Sequence, residues 1–74
     1  MEKLLHYLNS LTTDQQDDFA SRCGTSVGYI RKAISTGQQF GEKLCINFDR
    51  ESGGVVRVED VRPDVDWAYL RKAA

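Results

Sequence analysis

The sequence predicts an all-α fold: a compact bundle of about five short helices, with a helix-turn-helix at helices 2 and 3. Apolar residues recur at helical spacings of three and four along most of the chain. No proline interrupts either of the two central helical patterns, and glycines follow the points where patterns stop. The chain has 74 residues, which is enough for one domain, so we treat residues 1–74 as a single domain.

The first predicted helix runs from Glu2 to Leu11. Four leucines recur on one of its faces, at positions i, i+1, i+4 and i+7: Leu4, Leu5, Leu8 and Leu11. We expect this face to cover the two central helices, and a homodimer seam is the less favoured use. His6 lies off the leucine face, and no nucleophile or carboxylate stands at a spacing that would make it a catalytic base.

The next segment, Thr12 to Gln16, has the residues of a helix start. Thr12 with Gln15, or Thr13 with Gln16, fits a capping box, in which two residues satisfy each other's free backbone N–H groups. Three aspartates fall in the first turns of this helix, where the helix dipole favours negative charge: Asp14, Asp17 and Asp18. This role is favoured over a metal site.

The two central helices occupy Gln16 to Gly37. Small and apolar residues give each helix an inner face: Phe19, Ala20 and Cys23 in the first, and Ile30, Ala33 and Ile34 in the second. Gly24 lies between them and can adopt the positive φ that a sharp turn needs. The pair Thr25–Ser26 supplies an N-cap for the second helix, which we expect from about Ser26 to Ser35. This arrangement is typical of a helix-turn-helix, whose second helix enters the major groove of DNA.

The second of these helices would present small, polar and cationic residues to the groove. Gly28 is unusual in a helix, where glycine costs roughly 1 kcal/mol relative to alanine; close approach of DNA or close packing on the preceding helix would explain it. Arg31 can hydrogen-bond guanine O6 and N7, and Val27 can contact a thymine methyl. Tyr29 can bind a phosphate or lie half-buried, and Gln38 can cap the next helix or reach a phosphate. The candidate DNA-binding residues are Thr25, Ser26, Val27, Gly28, Tyr29, Arg31, Lys32, Ser35, Gln38 and Lys43.

A fourth helix is expected from Phe40 to Ser52, and Gly53–Gly54 end it. Its apolar positions repeat at helical spacing: Phe40, Leu44, Cys45 and Phe48. The following segment, Val55 to Val61, is ambiguous. Its β-branched content favours a strand, whereas a short helix that opens near Val58 is the alternative.

Arg62 and Pro63 block continuation of any helix, because the residue before proline disfavours the helical conformation. Asp64 can then cap a last helical turn or two. We expect Trp67 and Leu70 to close over the core, in preference to forming a dimer contact.

The formal net charge of −1 is unevenly distributed. Residues 1–18 have one basic and four acidic residues, giving 1 − 4 = −3. Residues 19–48 have four basic and one acidic residue, giving 4 − 1 = +3, and residues 49–74 have five and six, giving −1. The basic excess coincides with the segment that would meet DNA phosphates, and its small size predicts moderate affinity.

Several classes of protein are disfavoured by composition. Cys23 and Cys45 stand in apolar helical patterns with no signal peptide before them, so we expect buried reduced thiols in a cytosolic protein and not a disulfide. There is no CxxC pair and one histidine, which argues against zinc. No apolar run reaches membrane-spanning length. The sequence contains neither a nucleophile paired with a base nor a loop that could cradle a phosphate, so it does not indicate an enzyme. No cofactor is expected.

Three segments resemble a known family: FASRCGTSVGYIRKAISTG, GEKLCINFDRESGG and VEDVRPDVDW. They are similar to the Cro-like, YdaS-type phage and prophage repressors, which have lambda-repressor-like DNA-binding domains. The resemblance covers nearly the whole chain. Its most specific parts are the turn at residues 24–26 (GTS) and the tail with residues 62–64 (RPD) followed by Trp67. It implies a bundle of about five helices, a bacterial or phage origin, and binding of a dimer to palindromic operators.

The resemblance also implies that Ser26, Val27, Gly28, Arg31 and Lys32 hold the recognition-helix positions. It favours a short helix over a strand in residues 55–61. Arg57 departs from the family pattern, in which a Ser or Thr cap is expected before that helix. Some Cro proteins have a β-hairpin C-terminus, so a strand remains the alternative for this segment.

Residues and resemblance together predict a single helix-turn-helix DNA-binding domain that acts as a sequence-specific transcriptional regulator, namely a repressor. The expected partners are double-stranded operator DNA and a second copy of the chain, with no membrane, in the bacterial cytoplasm at the nucleoid. The alternative is an antitoxin or adaptor that binds mainly another protein.

Overall fold

The computed structural model describes residues 2–73, with side chains described through residue 70. Within this range it has helices and no strand, which confirms the all-α prediction. The helices in chain order are α1 (Glu2–Asn9), α2 (Thr13–Arg22), α3 (Val27–Thr36), α4 (Glu42–Glu51), α5 (Val58–Val61) and α6 (Trp67–Ala73). The count of six exceeds the expected five because both the ambiguous segment and the tail are helical, and α5 is a single turn of four residues.

The start of α2 is the predicted capping box. The Thr12 hydroxyl accepts the Gln15 N–H at 3.2 Å, and the Gln15 side chain accepts the Thr12 N–H at 2.9 Å. The start of α3 is capped by Ser26, whose hydroxyl accepts the Tyr29 N–H at 3.1 Å. At the end of α3, Gly37 adopts φ of +70°, as expected of a helix-terminating glycine. Local polar residues therefore set the limits of the helix-turn-helix.

The turn between α2 and α3 depends on Gly24, whose φ of +81° confirms the predicted left-handed residue. The Gly24 N–H donates to the Ser21 carbonyl at 3.0 Å, and the Thr25 N–H donates to the Ala20 carbonyl at 2.9 Å. A third contact comes from α4, because the Asn47 side chain donates to the Cys23 carbonyl at 3.0 Å. The turn is thus fixed from within and from the neighbouring helix.

The core lies where these helices meet, around three fully buried phenylalanines. Phe48 stacks on Phe19 with ring centroids 6.0 Å apart and meets Phe40 edge-on at 5.1 Å. Tyr7 of α1 packs edge-on against Phe19 at 5.1 Å. The buried apolar residues are Leu4, Leu8, Phe19, Ala20, Cys23, Ile30, Ala33, Phe40, Cys45, Phe48, Val56, Val58, Val61 and Trp67. The leucine face of α1 is buried in this core, and the helix packs chiefly against α5. Its Tyr7 reaches Phe19 of α2, so the expectation that α1 covers both central helices holds only in part.

The ambiguous segment forms a helix, α5, despite the lack of a Ser or Thr cap. Arg57 stands at the cap position, and its guanidinium side chain cannot accept a hydrogen bond. Two carboxylates replace it: Asp60 accepts the Arg57 N–H at 3.0 Å, and Asp49 of α4 accepts the Val58 N–H at 3.2 Å. Both satisfy N–H groups that a helix start leaves free.

The tail is held by Arg62, which donates to the Phe40 carbonyl at 3.2 Å and to the Asp64 carboxylate at 2.8 Å. This hydrogen bond lowers the pKa of Asp64 below its ordinary value. Trp67 is buried as predicted, and its indole N–H donates to the Arg62 carbonyl at 2.7 Å. Asp66, and not Asp64, caps α6, by accepting the Tyr69 N–H at 3.0 Å.

Three further predictions about the ends of elements were wrong. Leu70 does not close over the core, since it is 45% exposed. The first helix ends at Asn9 and not at Leu11, because the Ser10 hydroxyl folds back onto the Tyr7 carbonyl at 2.6 Å. The fourth helix begins at Glu42 and not at Phe40, because Gly41 is extended and acts as its N-cap residue.

Candidate nucleic-acid interface

The outward face of α3 consists of Gly28, Lys32 and Ser35, all of which are exposed. Residues three and four apart share one side of a helix, and this side points away from the buried Ile30 and Ala33. The Ser35 hydroxyl donates to the Lys32 carbonyl at 2.9 Å, so its side chain stays close to the helix. Lys32 is therefore the one long side chain on this face, between two small residues.

Arg31 lies at one edge of the outward face, towards α1 and α2. Its guanidinium donates to the Asn9 side chain at 3.1 Å and to the Gln16 side chain at 3.3 Å. The Arg31 guanidinium is exposed to solvent, and these two hydrogen bonds hold it beside the start of α2. Asn9 was not predicted to have a role, and Gln16 was predicted only as a capping residue of α2. Their contacts with Arg31 depend on how three helices cross, and no local signal in the sequence reports that.

Three of the predicted residues occupy the start of α3. Ser26 uses its hydroxyl as the helix cap. Val27 is partly buried and packs against the core, so only an edge of its side chain faces outward. Thr25 is also partly buried. The start of α3 thus exposes less side chain than the sequence suggested.

A shallow cleft of about 630 Å³ joins this end of α3 to the start of α4. It brings together Thr25, Tyr29 and Lys43 from the predicted set. Tyr29 is 43% exposed, which fits the half-buried alternative, and its ring contacts Phe40 edge-on at 6.2 Å. Gln38 follows α3, where it is exposed, and its backbone N–H donates to the Ala33 carbonyl at 2.9 Å.

Two curated proteins of Escherichia coli (strain K12) match residues of this chain. One is YdaS, named as a candidate transcriptional regulator, which is 34% identical over 59 residues. The other is named as a prophage transcriptional regulatory protein and is 29% identical over 59 residues. Each match covers 80% of this chain. This chain is similar to prophage transcriptional regulators of the YdaS type. The predicted resemblance is confirmed.

The two relatives differ in the share of their length that the match covers. The matched region covers 60% of YdaS and 89% of the second protein. No family model and no solved structure matches the chain.

The basic side chains of this chain fall into two groups in the structure, those with and those without a carboxylate partner. Side chains are described for eight of its ten basic residues. Five of these eight form ion pairs with carboxylates: Lys3, Arg22, Arg50, Arg57 and Arg62. Within the described residues, the three cations without a carboxylate partner are Arg31, Lys32 and Lys43, all in α3 or the first turn of α4. Three of the four basic residues of the +3 segment predicted from the sequence thus stay without a carboxylate partner, and the fourth, Arg22, is paired.

The remaining surface contains a second groove, of about 620 Å³, which no residue of α3 lines. Its apolar wall is formed by Ile46, Val58, Trp67 and Leu70. Elsewhere in the described residues, no three His, Cys, Asp or Glu side chains are grouped as metal ligands would be. None of the helices within residues 2–73 has the length and apolar character needed to cross a bilayer.

Proposed function

We propose that this protein is a sequence-specific DNA-binding transcriptional regulator, a Cro-like repressor, and that α3 is its recognition helix. The observation that carries the proposal is the location of the three unpaired cations, Arg31, Lys32 and Lys43, on and beside the outward face of α3. Cations without carboxylate partners are available to neutralise phosphates and to hydrogen-bond base edges. The names of the two relatives support a role in transcription.

The contacts of each cation suggest a division of roles. Lys32 stands at the middle of the outward face, so we assign it to the base edges, where lysine pairs with guanine O6 and N7. Arg31 is held at the edge of that face by Asn9 and Gln16, so we assign it to a phosphate. Thr25, Tyr29 and Lys43 border one cleft at the other edge and are assigned to the opposite phosphate strand. This replaces the expectation that Arg31 reads guanine.

The proposal includes a homodimer, at least on DNA, and a cytoplasmic, nucleoid-associated location in a bacterial host. A single α3 reads only a few base pairs. Two copies on a palindromic operator would place their recognition helices about 34 Å apart, one turn of the duplex. Repression follows if that operator overlaps a promoter.

The experiment is binding-site selection from random duplexes, followed by titration of the selected and a random duplex. Lys32→Ala is expected to weaken binding to the selected duplex by about 1–3 kcal/mol and to relax base preference. Arg31→Ala is expected to weaken binding to both duplexes to a similar extent, because phosphate contacts do not depend on sequence. Lys3→Ala is the matched control: it removes the same charge from α1, where Lys3 pairs with Asp60, and should change neither affinity.

Two results would contradict the proposal. If the wild-type protein binds no duplex even at low salt, the alternative of an antitoxin or adaptor that binds another protein is favoured. If Lys3→Ala and Lys32→Ala weaken binding equally, the DNA contact depends only on net charge and α3 is not its recognition helix.

A further inference from the structure

Gly28 is the glycine that the fold itself does not explain. The chain has six glycines, all within the described residues. Four have positive φ, which side chains rarely adopt: Gly24, Gly37, Gly53 and Gly54. A fifth, Gly41, is the N-cap residue of α4, a position that glycine favours. Gly28 is the second residue of α3, has ordinary helical φ and caps nothing.

Close packing does not explain Gly28 either. A Cβ atom built at this position meets no atom within 4 Å, so an alanine would fit the folded protein without any adjustment. The alternative raised from the sequence, close packing on the preceding helix, is therefore wrong. Alanine is also the better helix former and restricts the unfolded chain more than glycine does. The fold tolerates a side chain here and would gain stability from it.

Gly28 lies on an open part of the outward face. Lys32 lies one turn further along the same face. The two chain neighbours lean away from it: Val27 packs inward against the core, and Tyr29 contacts Phe40 at the other edge. In a recognition helix, residues near the N-terminal end are the ones that meet base edges. Gly28 is therefore at the point where α3 would come closest to the floor of the groove.

We propose that Gly28 is a specificity-determining position, at which the missing side chain admits the C5-methyl group of a thymine against the α3 backbone. Thymine is the base that presents a methyl group in the major groove, and the space that an alanine methyl would fill at Gly28 is open. The inference rests on the proposed function, because it requires that α3 lie in the groove. It adds one thymine at a fixed step from the base pair that Lys32 contacts.

The proposal predicts opposite effects of one substitution on stability and on binding. Gly28→Ala should raise the melting temperature by about 4 °C, since the change suits a helical backbone. It should weaken binding to the selected duplex by about tenfold, the usual effect of one wrong base contact, because the new methyl and the thymine methyl compete for one space. Gly28→Val, which is larger, should weaken binding further.

The test is a titration of the wild type and Gly28→Ala on the selected duplex, with each thymine replaced in turn by deoxyuridine. At one position, removal of the thymine methyl should restore the affinity of Gly28→Ala to within about threefold of the wild type. Ser21→Ala, an exposed position in α2, is the control for a gain in helix propensity and should leave binding unchanged.

The outcomes separate this inference from the proposed function. If Lys32→Ala weakens binding and Gly28→Ala does not, α3 lies in the groove and the inference about Gly28 is wrong. If Gly28→Ala weakens binding equally on selected, random and deoxyuridine-containing duplexes, Gly28 faces the sugar-phosphate backbone and the thymine assignment is wrong. If the wild type binds no DNA, the proposed function itself is wrong.

Discussion

At the scale of single residues, the two cysteines show how burial controls chemistry. Cys23 and Cys45 are both free and are buried in the core. Loss of hydration disfavours the thiolate, so burial raises the pKa of each thiol to about 11. Because thiolates are the reactive form, both side chains are expected to be inert structural residues at neutral pH.

This gives a pH-dependent prediction for thiol labelling. At pH 8 the native protein should react with a disulfide reagent about a hundredfold more slowly than the unfolded chain, because the thiol pKa falls from about 11 to its ordinary value of 9.0 on unfolding. The native rate should rise with pH up to about 11, and urea should restore fast labelling. Complete labelling of the native protein within the mixing time at pH 8 would show that the thiols are accessible.

Residues with local roles could be predicted from the sequence, whereas residues with long-range roles could not. The Thr12–Gln15 capping box, the Ser26 cap and the positive φ of Gly24 depend on neighbours within about four positions. The contact of Arg31 with Asn9 spans 22 positions, and that of Asn47 with the Cys23 carbonyl spans 24. Such contacts exist only after helices pack, and no spacing rule reveals them.

At the scale of elements, α5 is a helix that its own sequence does not specify. Its valines favour a strand by propensity, and Arg57 offers no cap. The deciding interactions are tertiary, since Val58 and Val61 are buried in the core and Asp49 of α4 accepts the Val58 N–H. Tertiary packing therefore overrides local propensity in this element. In α2 and α3, local propensity and tertiary packing both favour a helix.

The role of Asp49 can be tested by two substitutions. Asp49→Ala removes the acceptor for the Val58 N–H and a carboxylate 3.9 Å from Arg57, and should lower the free energy of unfolding by about 1 kcal/mol. Asp49→Asn keeps a side-chain oxygen and should lose less than half of that. The measurement is urea unfolding followed by circular dichroism. Equal losses for the two variants would indicate that the charge, and not the hydrogen bond, stabilises α5.

At the scale of the whole molecule, the arrangement of charge matters more than its sum. A net charge of −1 would seem to oppose DNA binding. Folding, however, pairs five of the eight described basic side chains with carboxylates and leaves the other three together on and beside α3. The sequence predicted the basic segment, but it could not show which of its cations stay unpaired: Arg22, within that segment, pairs with Asp18 at 2.9 Å and Glu51 at 3.0 Å.

The number of unpaired cations sets the salt dependence that we expect. Each phosphate neutralised by a cation releases condensed counterions, so the slope of log K against log salt concentration is about −0.9 per contact. Arg31 and Lys43, the two cations assigned to phosphates, together give a slope of about −2 for each protomer, which is shallow for a DNA-binding protein. Arg31→Ala, assigned to a phosphate, should reduce its magnitude by about 1, and Lys3→Ala, which removes a paired cation, should not change it. The measurement is affinity for a random duplex between 50 and 200 mM salt. A much steeper slope in the wild type, or an equal change in both variants, would mean that the paired cations also contact DNA. The ion pairs of the free protein would then have to break on binding.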